Sequence, residues 1–422
     1  MVLENLKTLI SPNFSNDDLI EMVKNYSNLR EINIEDVIMA PPSQKIGDSY
    51  LSKILRFTIN ATGTNESGEK EKVEVNVITK VLPPNLGRRK TLRSHDFFEN
   101  EIIFYNKVWS SMKAFSKSKG MNKEFNEIVP TLLAFCLDGE NDYIALEDLS
   151  YKNFDSMERG KGIDYDTTMK VLNVFAKFHA LSLAYKDQKP VEFSKAASSL
   201  KEVYFNERLY AWYGNFQQSL FDLVRDATKK ELPQKYFEKI DKIFKDDFFK
   251  KTSDICENNH SHLSGVTQGD AWIPNFLFRK DEEALKIAII DFQLARWAPF
   301  SNDITLFLFT CVEDNVLLDH WDDFINEYTA RMKHYVKLLG SSPEIFQGDE
   351  FKEDIKKNII YTLAMGIEGL SMSLIEGFDL DLIKCDEAVP LESVWVIHPF
   401  EDEERRKRVA NFIEFLVDKQ LI

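Results

Sequence analysis

The sequence predicts an α+β fold with two lobes, a small sheet-rich N-terminal lobe and a larger, mainly helical C-terminal lobe. The chain has 422 residues, which is more than one ordinary hydrophobic core accommodates. Short alternating strand patterns prevail up to about residue 150, and long amphipathic helix patterns prevail after it. We therefore divide the chain into an N-terminal lobe of residues 1–146 and a C-terminal lobe of residues 147–422.

Composition and charge exclude several functional classes. The chain is 44% hydrophobic and 12% aromatic, which is ample for packed interiors and argues against disorder. Its net charge of −16 repels nucleic-acid phosphates and anionic lipids, so we expect neither as a partner. No stretch approaches the roughly 18 uninterrupted apolar residues of a membrane-spanning helix.

Other features point to the cytoplasm. The start, "MVLENLKTLISPNF", lacks the basic beginning and apolar centre of a signal peptide. The four cysteines, at 136, 256, 311 and 385, form no C-x-x-C pair and are typical of reduced thiols. We therefore expect a cytoplasmic protein whose partner is a small molecule.

The N-terminal lobe is predicted element by element. Residues 1–40 are predicted to be helical, with a helix starting near Ser15 or Asn16. The alternating runs "SYLSKILRFTIN" and "EKVEVNVITKVL" predict a β-hairpin. "SHDFFENEIIFYNKVWSSM" has helical spacing, and two more short strands follow around a Gly-Glu-Asn-Asp turn.

The C-terminal lobe is predicted from long helices such as "TTMKVLNVFAKFHALSLAY" and "FKEDIKKNIIYTLAMGIEGLSMSLIEGF". Among them we recognise one clear strand pair, within Gln268 to Ile290. "NFLF" and "LKIAIIDF" flank the polar turn "RKDEEA" and should pair as an antiparallel hairpin.

Three polar residues surround this hairpin in "QGDAWIPNFLF" and "IIDF", namely Asp270, Asn275 and Asp291. Asn275 enters the first strand and Asp291 leaves the second, so both lie at the open end of the hairpin, about 5 Å apart. Two oxygen ligands at that spacing suit a hard cation such as Mg²⁺. Asp270 lies in the approach loop, where a carboxylate can accept a proton from a hydroxyl. Each residue alone is also typical of ordinary turn chemistry.

The joint pattern D-x-x-x-x-N followed by an apolar strand and D-F resembles the catalytic loop and metal-binding Asp of kinases. The wording "GDAWIPNFLF…IIDFQLARW" most resembles the ecdysteroid kinase-like family, related to choline-kinase-like and aminoglycoside-phosphotransferase-like enzymes. The resemblance spans roughly residues 40 to 310 and implies a two-lobed, protein-kinase-like fold. It implies that Asp270 is the catalytic base, and that Asn275 and Asp291 hold Mg²⁺.

The same resemblance implies residues that bind ATP. Lys80 ends "VEVNVITK", and Glu101 lies on the inward face of the next helix, so the two would pair and hold the nucleotide phosphates. The loop "IGDSYLS", with Gly47 and Ser52, matches the phosphate-covering loop.

"IALEDL" matches the hinge between the lobes, where backbone groups of Glu147 to Leu149 would meet adenine. Gln268 departs from the family pattern, which has a histidine there that braces the loop. An amide can substitute for that histidine, but the departure also allows a weakened enzyme.

For several other residues a purely structural role is the main prediction, and a functional role is the alternative. Asp303 is expected to start a helix and brace the catalytic loop, with metal binding as the alternative. His179 is predicted to be a satisfied core histidine. Met365, Met372 and Trp272 are predicted to pack in the core or in a loop, and alternatively to line an acceptor pocket.

Taken together, the residues and the resemblance predict an ATP- and Mg²⁺-dependent small-molecule kinase, a phosphotransferase with an alcohol group as acceptor. The resemblance implies a small, lipophilic acceptor with a hydroxyl group, such as an ecdysteroid. Two alternatives remain: the same chemistry on choline, an amino alcohol or a xenobiotic, and a weak pseudokinase that binds nucleotide or small lipophiles.

Overall fold

A computed structural model describes residues 2–41, 51–121, 124–125, 127–158, 161–258, 261–281, 285–375 and 383–422. The N-terminal lobe is built on a five-stranded antiparallel sheet with the strand order β1-β2-β3-β5-β4. Its strands are β1 Arg30–Met39, β2 Lys53–Thr64, β3 Lys70–Val81, β4 Leu132–Cys136 and β5 Tyr143–Glu147.

The β2–β3 hairpin has the predicted position and a continuous register, in which Phe57 pairs with Val77. Apolar side chains alternate along both strands, so one face of the sheet is buried. The turn closes because the Asn65 side chain accepts hydrogen bonds from the backbone N–H groups of Ser67 and Glu69, each at 3.0 Å.

The leading segment corrects one prediction. Residues 1–40 contain the helices α1 Val2–Leu9 and α2 Asn16–Ser27, but Arg30–Met39 is strand β1. Ser15 caps α2, as predicted, through a capping box with Asp18. The strand "REINIEDVIM" alternates isoleucines with polar residues, which is the period of a strand, and β2 offers it a hydrogen-bonding edge.

A helical segment joins the sheet to the C-terminal lobe. It consists of α3 Leu86–Thr91, α4 Ser94–Ile103, a π-helical turn Phe104–Trp109 and α5 Ser110–Ser118. The ring of Phe104, in the π-helical turn, stacks on Phe292 of the C-terminal lobe with centroids 3.8 Å apart. The two lobes are therefore packed together beside the residue that follows Asp291.

The C-terminal lobe is mainly helical, which confirms the predicted α+β fold with two lobes. Its helices are α6 Tyr165–Gln188, α7 Pro190–Ala197, α8 Tyr210–Glu231, α9 Gln234–Lys245, α10 Phe248–Asn258, α11 Ser301–Cys311, α12 Asp314–Leu338, α13 Gly348–Ser373 and α14 Glu403–Asp418. No helix in the described ranges combines the length and apolar character needed to span a bilayer. All four cysteines are free thiols, as predicted.

Short strands carry the motif region. The predicted hairpin is present as β8 Phe276–Lys280 and β9 Leu285–Ile289, which pair antiparallel, and β6 Asp155–Ser156 joins β8 at its edge. A second pair, β7 Ser264–Thr267 with β10 Arg296–Pro299, was not predicted. These two strands are four residues each, too short to give a clear alternation in sequence.

Candidate active site

Lys80 and Glu101 form a buried ion pair between strand β3 and helix α4. The Lys80 Nζ atom lies 2.9 Å from Glu101 Oε1 and 3.0 Å from Oε2. Glu101 is 2% exposed, whereas Glu99 points away and pairs with Lys201 near the surface. The predicted inward face of the helix is therefore the face that meets the lysine.

Lys80 also contacts the C-terminal lobe, because its Nζ lies 3.1 Å from Asp291 Oδ1. Burial alone would lower the pKa of Lys80, but the negative charges of Asp291 and Glu101 outweigh it and raise the pKa above its ordinary value. The lysine is consequently a permanent cation held between two carboxylates, one from each lobe.

Asn275 and Asp291 lie together at the open end of the β8–β9 hairpin. The backbone N–H of Ile290 donates to the Asn275 carbonyl at 3.0 Å, so the residues flanking the two strands are adjacent. Asp291 adopts a left-handed backbone with φ of 60°, a conformation that aspartate tolerates better than most residues. That turn carries the carboxylate toward Lys80.

Asp270 is tied to Asn275. The Asn275 amide nitrogen donates to the Asp270 carbonyl and to its carboxylate Oδ2, each at 2.9 Å. Burial and, second, the negative charge of Asp291 raise the pKa of Asp270 to about 7. A carboxylate with such a pKa is suited to accept a proton near neutral pH.

The donor set at the hairpin end fits a hard cation. Asn275 uses its amide nitrogen for Asp270, so its amide oxygen is the atom that could bind a metal. Asp291 Oδ1 is buried, with Lys80 as its neighbouring cation. Mg²⁺ prefers one or two such protein oxygens completed by substrate phosphates and water. No group of three or more His, Cys, Asp or Glu residues in the described ranges could hold a metal by itself.

Gln268 braces the loop from within. Its side-chain nitrogen donates to the carbonyls of Ile290 at 3.1 Å and Asp291 at 2.8 Å. Its side-chain oxygen accepts from the Asp270 backbone N–H at 2.7 Å. The amide therefore links the segment of Asp270 directly to that of Asp291, which is the bracing that the sequence left open.

Asp303 supports the same loop from the first turn of α11. Its carboxylate accepts from the backbone N–H groups of Gln268 at 2.7 Å and Gly269 at 2.9 Å. His179 is fully buried and bonds Asp303 at 3.1 Å and the Tyr328 hydroxyl at 2.8 Å. The predictions of a bracing aspartate and a satisfied core histidine are both confirmed, and the histidine holds the brace.

Gly269 fits a position that a side chain could not occupy. Its φ is +84°, and a Cβ atom there would lie 2.0 Å from the Leu294 carbonyl oxygen. The Tyr361 hydroxyl donates to the Gly269 carbonyl at 3.0 Å. The backbone of the loop is therefore held from several sides just before Asp270.

A cavity of about 790 Å³ lies between the lobes, and Lys80, Asp270, Asn275 and Asp291 all line it. Ile54, Ile78 and Leu146 line it from the N-terminal lobe. Its C-terminal-lobe lining includes Trp272, Tyr204, Leu294, Met365, Glu368, Met372 and Trp395. Met365 and Met372 belong to the hydrophobic core, as predicted, and Trp272 packs against it. All three side chains also line the cavity, which was the alternative interpretation.

The residues predicted to contact the nucleotide lie in different surroundings. Glu147 and Leu149 line the cavity, and Leu149 begins a short 3₁₀-helix, whose first N–H groups have no partner within it. The Glu147 side chain pairs with Lys152. Ser52 is buried, and the lining formed by the described residues includes its neighbour Leu51 rather than Ser52 itself. Gly47 lies outside the described residues.

Two buried arrangements near the site were missed by sequence reasoning. The Asn100 side-chain nitrogen donates to the carbonyls of Gln293 and Ala295, each at 2.9 Å. The Glu368 carboxylate accepts from the hydroxyls of Tyr204 and Tyr213. The partners are 155 to 195 positions apart in sequence, so no local pattern signals them.

This architecture is typical of kinase-like folds of small-molecule phosphotransferases. It combines two lobes, the Lys80–Glu101 pair, and the Asp270 loop held by Gln268 and Asp303. The chain belongs to the ecdysteroid kinase-like family, whose profile matches residues 46–341, well over half of its length. The resemblance noted from the motifs is thereby confirmed. No curated protein matches the chain.

Solved structures of low sequence identity also match it. An ethanolamine kinase from Plasmodium vivax is 13% identical, with a TM-score of 0.43, over 99% of this chain and 94% of that one. A microcompartment-associated aminopropanol kinase is 10% identical, with a TM-score of 0.43, over 95% and 97% of the two chains. A variant aminoglycoside 2′-phosphotransferase in complex with GDP is 13% identical, with a TM-score of 0.31, over 85% and 96%.

Proposed function

We propose that this protein is an ATP- and Mg²⁺-dependent kinase that phosphorylates a hydroxyl group of a small, lipophilic acceptor such as an ecdysteroid. The observation that carries the proposal is the meeting of Lys80, Asp270, Asn275 and Asp291 on one interlobe cavity. A cation, an acid of raised pKa and two oxygen donors are what phosphoryl transfer by positioning and charge stabilisation requires.

Each residue has a proposed task. Lys80 binds the α- and β-phosphates, and Glu101 holds the lysine at the correct angle. Backbone groups of Glu147 to Leu149 meet the adenine, with residues 1–146 and 147–422 as the two lobes. Gly47 and Ser52 belong to the loop that covers the phosphates. Asn275 and Asp291 would hold Mg²⁺, which when bound offsets negative charge on the phosphates.

Asp270 orients the acceptor and takes its proton. The acceptor hydroxyl oxygen bonds to the γ-phosphorus while the bond from that phosphorus to the bridging oxygen breaks. ADP leaves with the electron pair of the broken bond, and the hydroxyl proton passes to the Asp270 carboxylate and then to water. Burial and the nearby Asp291 charge raise the pKa of Asp270 and so favour this proton transfer. We place the reaction in the cytoplasm.

Choline, an amino alcohol or a xenobiotic as the acceptor would leave every one of these roles unchanged. The structure gives a pseudokinase less support. Gln268 makes three hydrogen bonds to the backbone near Asp270 and Asp291, and so supplies the bracing expected of the family histidine. We therefore propose an active kinase, and the phosphate-transfer test is designed to identify its acceptor.

The test is transfer of γ-labelled phosphate from ATP to a panel of ecdysteroids, amino alcohols and plant metabolites. We expect transfer by the wild type, and a fall of about 10²–10⁴-fold in Asp270→Asn, because a general base contributes about that factor. Asp281→Asn is the matched control, since Asp281 lies in the turn of the same hairpin and pairs with Arg279. Nucleotide binding is followed in parallel by the rise in Tm with ATP.

Two results would contradict the proposal. ATP binding without transfer to any acceptor would indicate a pseudokinase. The absence of any ATP-induced rise in Tm would reject the nucleotide site itself.

A further inference from the structure

The cavity has a part lined by the C-terminal lobe that the nucleotide roles do not use. Helix α13 contributes Met365, Glu368 and Met372 to it, and Tyr204 and Trp395 complete the wall. Most of these side chains are apolar or aromatic, and methionines adapt their shape to irregular ligands. Glu368 is the carboxylate that α13 places in this wall.

Glu368 is 8% exposed and is held by two hydroxyl donors. Tyr213 donates to its Oε2 at 2.5 Å, and Tyr204 donates to its Oε1. Both tyrosines are buried in an aromatic cluster, in which their ring centroids lie 4.9 Å apart. The two hydrogen bonds therefore hold the carboxylate in one position, and the tyrosine rings that donate them are themselves packed in the aromatic cluster.

No positive charge among the described residues compensates the charge of Glu368. Burial raises its pKa to about 7, the two tyrosine hydrogen bonds oppose that rise, and no basic side chain among the described residues contributes. A carboxylate has about four acceptor sites, so two remain after the tyrosines have donated. A buried carboxylate facing a cavity gains most from another donor, because its desolvation is otherwise only partly offset.

The subsite also lies close to the proposed base. The negative charge of Glu368 contributes to the raised pKa of Asp270, and both residues line the same cavity. An acceptor whose reacting hydroxyl meets Asp270 would therefore extend along the apolar wall past Glu368. A second donor on that acceptor could reach the carboxylate.

We propose that Glu368 determines acceptor specificity by accepting a hydrogen bond from a second hydroxyl group of a neutral, lipophilic acceptor. The acceptor is then an apolar molecule with at least two hydroxyls. The mostly apolar wall suits the carbon skeleton of a neutral acceptor. The tyrosine hydroxyls leave the negative charge on the carboxylate, so an ammonium is the competing ligand and is included in the test. This inference rests on the proposed function, whose acceptor class it narrows.

The test measures binding without turnover. Full-length Asp270→Asn protein is titrated with ecdysone, its fully acetylated derivative and choline, and binding is followed by tryptophan fluorescence, since Trp272 and Trp395 line the cavity. The same titrations are repeated with Glu368→Gln added. Glu353→Gln is the control, because Glu353 is exposed on the same helix.

We expect ecdysone to bind, and Glu368→Gln to weaken it by about tenfold or more, the usual loss for a hydrogen bond to a charged group. The acetylated compound should bind weakly to both proteins, and Glu353→Gln should change nothing. An unchanged rise in Tm with ATP shows that the variant is folded. If Glu368→Gln does not fold, Glu368→Met provides the same comparison with an apolar chain of similar length.

Choline binding that depends on Glu368, with ecdysone unaffected, would replace the proposal by a cation subsite. Equal affinities of all acceptors for both proteins would reduce Glu368 to a structural residue. Both outcomes overturn the inference while leaving the kinase proposal intact, because phosphate transfer and ATP binding are measured separately.

Discussion

Gln268 connects three polar backbone groups that a folded loop would otherwise bury without partners. It donates to the carbonyls of Ile290 and Asp291 and accepts from the N–H of Asp270. A histidine has one ring nitrogen to donate and one to accept, so it can serve two of these three groups. The glutamine therefore supplies the bracing hydrogen bonds of this loop, which supports the proposed activity.

Replacing Gln268 should separate bracing from chemistry. Gln268→Leu leaves two carbonyls and one N–H unsatisfied, so we expect the free energy of unfolding to fall by about 2–5 kcal/mol and transfer to be lost. Gln268→His should keep transfer within about tenfold of the wild type. Urea unfolding and the phosphate-transfer assay measure these two outcomes, and wild-type stability in Gln268→Leu would contradict the bracing role.

The raised pKa of Glu368 predicts how the free energy of unfolding depends on pH. Its pKa is about 7 in the folded protein and about 4.5 when unfolded, so between these values the folded state holds a proton that the unfolded state has released. Stability from this group is therefore present below about pH 4.5 and is lost as the pH rises to about 7. Tyr204 and Tyr213 remain uncharged, because burial raises the pKa of each well above its ordinary value.

We expect the stability of the wild type relative to Glu368→Gln to fall by about 3 kcal/mol between pH 4.5 and pH 8. The comparison is repeated in Asp270→Asn protein, because Asp270 titrates in the same range and the charge of Glu368 contributes to its raised pKa. Urea unfolding at several pH values measures the difference. A constant difference across this range would show that Glu368 is not buried as described.

At the scale of elements, helix α4 has two tasks on adjacent residues. Glu101 meets Lys80 of β3, while Asn100 donates to the backbone of Gln293 and Ala295 and accepts from the Lys201 N–H. The helix that carries the glutamate is thus fixed to the segment that follows Asp291. The position of the Lys–Glu pair depends on this link between the lobes.

Asn100→Ala should loosen that link. It leaves two carbonyls and one N–H without their side-chain partner, so we expect a loss of about 1–3 kcal/mol in stability and a several-fold weaker affinity for ATP. Asn106→Ala is the matched control, because Asn106 is exposed in the π-helical turn that continues α4. ATP titration followed by Tm measures the effect, and equal affinities in the two variants would contradict it.

At the scale of the whole molecule, the cavity is lined from both lobes, so a bound nucleotide should stabilise them together. At 100 times its Kd, ATP should add about 2.7 kcal/mol to the free energy of unfolding. With Mg²⁺ present the rise in Tm should be larger, and Asp291→Ala should lose that additional part. Adenosine is the control, because it lacks the phosphate oxygens that would complete the coordination of the metal.

A Mg²⁺ effect that persists in Asp291→Ala would contradict the proposed metal ligands. An effect of Mg²⁺ with adenosine would indicate a metal site elsewhere in the protein. Both are read from Tm and need no turnover.

Elements and motifs with local signatures could be predicted from the amino-acid sequence. The β2–β3 hairpin, helix α4 and the β8–β9 hairpin follow from periodicity and turn residues, and the order of the motifs identifies the family. Strand β1 was predicted to be helical together with the segment before it. Its conformation is decided by pairing with β2, which lies in another part of the chain.

The contacts between residues far apart in sequence could not be predicted and follow from the packing of the folded chain. Glu368 meets Tyr204 and Tyr213 across 164 and 155 positions, and Asn100 meets the chain after Asp291 across more than 190. Gln268 has a bracing role because folding brings the Asp291 segment to it. Such contacts have no period along the chain, since they arise from packing between elements.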